Sequence, residues 1–158
     1  MEIRYRRRMH LSGFDYTDRS HVYFLTLCTD DKRPLFKDAE IARLIIDEME
    51  LRRNHDEIIL FCFCIMPDHV HMMLSLSKGY QKSLINWVSA FKRHSARAVK
   101  KSYGIEQLWQ KNFYDHVVRR DESLIKVTEY ILNNPVRKVM VREWKEYPYS
   151  RIVDPLPV

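Results

Sequence analysis

Residues 56–76, DEIILFCFCIMPDHVHMMLSL, are two apolar runs joined by a single Pro-Asp step. A connection that short joins antiparallel neighbours, because parallel strands need a crossover of about a dozen residues or more. The hairpin commits the chain to an antiparallel sheet. Successive strand side chains point to opposite faces. Val70, Met72, Leu74 and Leu76 therefore share one face, a core face, and His69, His71, Met73 and Ser75 share the other. Two adjacent imidazoles there mark either a partly wet surface or a site.

The flanking segments extend the pattern. SHVYFLTLCT (20–29) is β-branched and aromatic and reads as a strand. DAEIARLIIDEMELRR (38–53) places Ile41, Leu44, Ile45 and Met49 on one side of a helix, with Asp38 as its cap. Residues 80–102 read as a long helix with an apolar stripe of Leu84, Trp87, Val88, Phe91 and Ala98. LWQKNFYDHVVRR (108–120) ends in a strand, and DESLIKVTEYILNN (121–134) is a helix stopped by Pro135. The remainder reads as a short helix and an irregular tail over 135–158. The order β-α-β-β-α-β plus a further helix is the split βαβ, ferredoxin-like pattern of an α+β domain. One domain over 1–158 is expected, with a basic arm at 1–19. Helices on one face of the sheet leave the other available.

With 27 Lys and Arg against 21 Asp and Glu, the chain carries +6. Such an excess favours a polyanion, and its clustering makes nucleic acid the leading partner class. Arg4 and Arg6 to Arg8 form one cluster. Lys92, Arg93, Arg97, Lys100 and Lys101 form a second, and Arg119 with Arg120 a third. Each reads as a phosphate-binding candidate or as a solvated face. No apolar run is long enough to span a membrane. The basic N-terminus has no apolar segment behind it, so no secretory signal is expected. Cys28, Cys62 and Cys64 lack framework spacing and read as reduced thiols of a cytoplasmic protein. A zinc site of two cysteines and two histidines is disfavoured, since free cysteine is mostly a small core residue.

Imidazoles at i and i+2 of one strand face can reach one metal ion. The same pair is also common as two half-exposed residues, so spacing leaves both readings open. On the helix 121–134, Leu124, Ile125, Val127, Thr128, Ile131 and Leu132 span the arc expected to be buried. Tyr130 and Asn134, four residues apart, stack just outside its edge. A phenol beside an amide at the rim of a buried face suits a cleft, or equally a half-buried tyrosine and a helix stop. Trp87 reads as core. Trp109, Tyr114 and Trp144 could stack on bases or pack inside.

PDHVHMML, the basic helix, LWQKNFYDHVVRR, EYILNNPVRKVMV and EYPYS, in that order, resemble the single-tyrosine HUH transposases of insertion sequences. The REP-associated tyrosine transposases look nearest. The resemblance implies a modified ferredoxin-like fold. It implies a divalent ion, Mg²⁺ or Mn²⁺, held by His69, His71 and Asn134, and Tyr130 as the nucleophile on single-stranded, hairpin-containing DNA. It further implies a 5′-phosphotyrosine followed by strand rejoining. His116 and Arg119 are candidates to assist the phenol, or structural. Insertion-sequence members are typically dimers and REP-associated relatives need not be, so a homodimer stays open. A domesticated DNA-binding module of the same fold, without strand transfer, is the alternative; a metal-binding protein unrelated to DNA is a third reading.

Overall fold

The computed structural model describes residues 13–119 and 123–157. Arg4, Arg6 to Arg8 and Arg120 lie outside the described residues. Strand β1 (Val22–Cys28) leads through two 3-10 turns into helix α1 (Ala39–Asn54). The hairpin β2 (Ile58–Met66) and β3 (His69–Leu76) follows, then α2 (Leu84–Tyr103) and β4 (Tyr114–Val118). The chain continues through α3 (Leu124–Leu132), the short α4 (Asn134–Arg137) and β5 (Ser150–Ile152). The sheet order is β4-β1-β3-β2-β5, all pairs antiparallel. Since β1 and β2 both run opposite to β3, they are parallel to each other with β3 between them. That is the split βαβ arrangement expected from the element order.

Local chemistry sets the helix ends. The Asp38 carboxylate accepts from the amides of Glu40 and Ile41, and Ser83 and Ser123 cap α2 and α3 through Asn86 and Lys126. Gly104 closes α2 in the left-handed conformation at φ +69°. Two departures from the expected α2 follow from packing. It starts at Leu84, after the Ser83 cap, and its buried stripe runs through Ser95 and Val99 while Ala98 is only half-buried.

Both faces of the sheet are covered. On one, Leu25, Leu27, Val70, Met72 and Leu74 pack with Ile45, Met49, Trp87 and Phe91 of α1 and α2. On the other, Phe24, Cys62, Cys64 and Met73 pack with Val127, Ile131 and Leu132 of α3. The second face is therefore not left free, because its own apolar side chains hold α3 against it. The helix rotates slightly from the expected arc: Ile125 is 55% exposed, while Val127, Thr128, Ile131 and Leu132 are buried.

The tail contains a strand where irregular structure was expected. Three residues flanked by prolines are too few to show alternation. A bulge in β2 explains how β5 is held: pairing slips between Leu60 and Cys62, turning Phe61 and Cys62 both toward the α3 side. Asp154, just past β5, accepts the Leu60 amide at 2.9 Å and pairs with the Arg53 guanidinium at 2.5 and 2.9 Å. The Arg53 hydrogen bond holds the Asp154 carboxyl below its ordinary value, against a smaller opposing effect of burial. Asp154→Asn is expected to lower stability by about 1 kcal/mol at neutral pH, allowing for solvent screening of a partly exposed pair. The group's pKa is depressed in the folded state, so this contribution is full above the unfolded value. It fades as pH falls through the folded one. Urea unfolding of both proteins at neutral pH and near pH 2 checks this, and a gap that persists in acid would refute it.

Candidate active site

The β1, β2, β3 and β4 registers lay out the α3-side face as rows. Met66, His69 and Cys28 form one; Cys64, His71, Thr26 and Tyr114 the next; Cys62, Met73, Phe24 and His116 a third. His69 and His71 are neighbours, with ring centroids 4.6 Å apart and planes at 71°. Each ring has its Nδ1 engaged. His69 Nδ1 meets Asp68 Oδ1 at 2.7 Å, and His71 Nδ1 meets Thr26 Oγ1 at 2.9 Å. Burial lowers the pKa of both imidazoles. The effect is opposed at His69 by Asp68 and is strong at His71, where the charges of His69 and Arg137 add to it. Burial thus favours the uncharged form of both rings.

Asn134 reaches the pair from the far side. Its amide Nδ2 donates to His69 Nε2 at 3.2 Å, and the residue is buried. It does not get there by extending α3. That helix ends at Leu132, Asn133 caps it, and Asn134–Arg137 forms a separate turn. Pro135 sits at the start of that turn, where its missing N–H costs nothing. Tyr130, on the last full turn of α3, is half-buried. Its ring lies 6.2 Å from Phe24, edge to face, and Phe24 lies 5.2 Å from His71. The Arg137 guanidinium stands over the Tyr130 ring at 4.0 Å.

A cavity of about 820 Å³ opens onto both imidazoles, Thr26, Asp68 and Tyr114. Lys32, Lys37 and Lys138 line it, and among the described residues none of them meets a carboxylate. These lysines escaped sequence reading because they come from three separate short segments, none of them a charge run. Lys138 is followed by Val139, which is 90% exposed and held left-handed at φ +57°. A turn whose amides at Val139 and Met140 return to Val136 and Pro135 forces that backbone. For a β-branched residue this conformation costs about 1–3 kcal/mol.

The expected phosphate-binding residues of α2 occupy the other layer, beneath the core that faces α1. Lys92 is committed there: its ammonium donates to the carbonyls of Gln110, Lys111 (3.1 Å) and Asn112 (3.5 Å), tying down the approach to β4. Lys100 pairs with Glu106 at 2.9 Å. Arg93, Arg97 and Lys101 are exposed. Arg119 lies with Ser123 and Leu124 at the start of α3, whereas Tyr130 is near its end. His116 faces Phe24 across the ladder, on the same side as His71. The Trp109 indole N–H donates to Ser95 Oγ at 2.9 Å in the core, so its role is packing.

Among the described residues no three of His, Cys, Asp and Glu cluster as metal ligands. The donor set at the cavity is two imidazoles and one amide. Those residues fit a divalent ion, because outer partners hold each Nδ1 and leave Nε2 as the ligating nitrogen. A half-turn of the Asn134 amide would present its oxygen.

Residues 18–134 match the family described as "Transposase IS200 like". The chain belongs to that family. The IS200-like transposases are DNA-cleaving and DNA-joining enzymes. An Escherichia coli K12 relative named "REP-associated tyrosine transposase" is 26% identical over 139 residues, covering 85% of this chain and 78% of that one. A Haemophilus influenzae protein assigned to the same group is 30% identical over 146 residues, covering 86% of this chain and 81% of its own. A solved REP-associated tyrosine transposase bound to a REP hairpin superposes with a TM-score of 0.66 at 20% identity, over 89% of this chain and 82% of that one. That likeness establishes the fold.

The three cysteines are free, and burial pushes the Cys62 and Cys64 thiols up to about 12. Cys28, at the cavity, is less enclosed and raised less. Labelling the native protein with a thiol reagent at neutral pH is expected to modify Cys28 first, with Cys62 and Cys64 reacting only after denaturation. Equal labelling of all three in the folded state would contradict this packing.

Proposed function

We propose that this family member cleaves and rejoins single-stranded DNA at the cavity, with Tyr130 as nucleophile and His69, His71 and Asn134 as holders of a divalent ion. The observation that carries the reading is the contact between Asn134 and His69. It joins two segments 65 residues apart, setting the Asn134 amide on the His69 nitrogen that Asp68 does not hold. An Mg²⁺ or Mn²⁺ ion bound there would polarise a phosphate oxygen and offset charge growing in the transition state. The chain's own groups supply the rest. The phenol of Tyr130 gives up its proton and its oxygen forms a bond to phosphorus. The bond from phosphorus to the 3′ oxygen breaks, and that oxygen takes up a proton. The product is a 5′-phosphotyrosine and a free 3′-hydroxyl, and attack by a 3′-hydroxyl reverses the step.

The substrate proposed is a strand carrying a hairpin, following the REP hairpin held by the solved relative. The strand runs over Lys32, Lys37 and Lys138, with Tyr114 facing the bases. The exposed Arg93, Arg97 and Lys101 offer a second track on the opposite layer. Because α3 packs on its own sheet, one chain brings Asn134 to His69, and no exchange of helices with a second copy is needed for that contact. No helix among the described residues is long and apolar enough to cross a membrane. Free thiols suit the reducing cytoplasm, which is the proposed compartment.

Two measurements test the reading. With Mn²⁺ and labelled hairpin DNA, wild type is expected to give a protein-DNA adduct on a denaturing gel. Tyr130→Phe and His69→Ala should give none. An adduct surviving Tyr130→Phe would remove Tyr130 as nucleophile, and DNA binding without any wild-type adduct would favour the domesticated module. In the second, the combined Lys32→Gln, Lys37→Gln, Lys138→Gln variant should lower the slope of log K against log salt for single strands by about 2. An unchanged slope, with a drop instead in Arg93→Gln, Arg97→Gln, Lys101→Gln, would move the strand to α2.

A further inference from the structure

We propose that Arg137 is a positioning residue that holds the Tyr130 ring at a fixed place relative to the His69–Asn134 site. The inference rests on the reading of Tyr130 as nucleophile and adds a residue that carries its geometry. Two contacts act together. The Arg137 guanidinium carbon lies 4.0 Å from the Tyr130 ring centroid, within cation–π range. Its Nη2 also donates to the Tyr130 carbonyl at 2.7 Å. One planar group thus grips both the backbone and the ring of the same residue. Lysine cannot do this, having neither a planar face nor a fork of donors.

The place of Arg137 in the chain gives the grip its consequence. The α4 turn is four residues long. Its first residue, Asn134, is on His69, and its last, Arg137, is on Tyr130. Pro135 stiffens the turn between them. Asn133, with φ −84° and ψ 6°, breaks the helix ahead of it, so α3 alone does not fix where the turn goes. The return contact from Arg137 closes that joint. On another side the ring meets Phe24, whose own neighbour is His71. The phenol is therefore bracketed by two residues, each tied to one histidine: Arg137 through Asn134 to His69, and Phe24 to His71. The charge of Arg137 reaches His71 as well, which accords with this closeness. A displacement of about 1 Å at a reacting group can slow a reaction about a hundredfold.

The test uses the full chain in two ways. First, the protein is labelled with 3-fluorotyrosine and studied by fluorine NMR without DNA or metal, with Tyr130 assigned by its absence in Tyr130→Phe. In Arg137→Gln the Tyr130 resonance is expected to move toward that of free fluorotyrosine, and an unmoved resonance would overturn the clamp. Second, adduct formation is followed in single turnover at saturating hairpin DNA and Mn²⁺. Arg137→Gln should be slower by about tenfold or more with DNA affinity within about twofold of wild type, and Arg137→Lys should be intermediate. An unchanged rate overturns the proposal. So does a loss confined to affinity, which would make Arg137 a phosphate contact. If Arg137→Gln melts early, Arg137→Lys carries both measurements, with a smaller shift in the same direction and an intermediate slowing required. Absence of any wild-type adduct would fault the nucleophile reading, and the NMR result would still decide the clamp.

Discussion

Phe24, Cys62, Cys64 and Met73 form an apolar strip on the face of the sheet that carries the imidazoles, and that strip cannot be left in water. Covering it is the constraint on which the site depends. Burying side chains of this size is worth about 1.5–3 kcal/mol each, and α3 supplies Val127, Ile131 and Leu132 to do so. His71 shares the row of Cys64 and His69 lies one row further along the same strands, at the edge of the covered patch. Whatever leaves the end of α3 is consequently delivered to their edge. Asn134 arrives there because the helix stops at Leu132 and Pro135 begins a new turn. The site is thus a by-product of a packing boundary, placed where hydrophobic cover ends and a cavity begins.

The two layers use their cations differently. Charges on α2 are partly spent on the fold, with Lys92 binding three carbonyls and Lys100 an acid. Lys32, Lys37 and Lys138 around the cavity pair with no carboxylate among the described residues, and they share it with the buried His71 and the half-buried His69. Three lysines against the single Asp68 carboxylate leave the cavity lining net positive, and a bound anion offsets that charge. Arg93, Arg97 and Lys101 of α2 are exposed and pair with no carboxylate among the described residues either. The layers thus differ in how many of their cations the fold uses, which a count of Lys and Arg along the chain cannot express.

Much of the architecture was legible because its signals are local. The Pro-Asp hairpin, the Asp38 cap and the strand alternation each follow from neighbours in sequence, and they specify the sheet core and α1. The pairing of His69 with His71 came from alternation alone, and the family resemblance brought in Asn134 and Tyr130. Other features depend on partners far along the chain. The bulge at Phe61 flips the alternation in mid-strand, and the neighbouring Leu60 amide is satisfied by Asp154, 94 residues on. Strand β5 is too short to show a period and exists because β2 offers an edge. Lys32, Lys37 and Lys138 sit in unremarkable surroundings in sequence, and only the fold gathers them. Arg137 reads as one more surface charge until its plane is seen against Tyr130.

The wall of the cavity ends on a residue that resists its own backbone. Val139 is left-handed, branched at Cβ and almost wholly in water, so no contact of its side chain offsets the strain. The turn holds it by two amide hydrogen bonds, to Val136 and Pro135. Local opening draws on the segments least deeply seated in their free-energy well. By that measure two parts of this rim are poised for release, Lys138 to Met140 and the segment of Asp31 and Lys32, whose backbones are also left-handed at φ 54° and 49°. The cavity thus combines a rigid floor, the sheet, with walls whose backbone is held under tension.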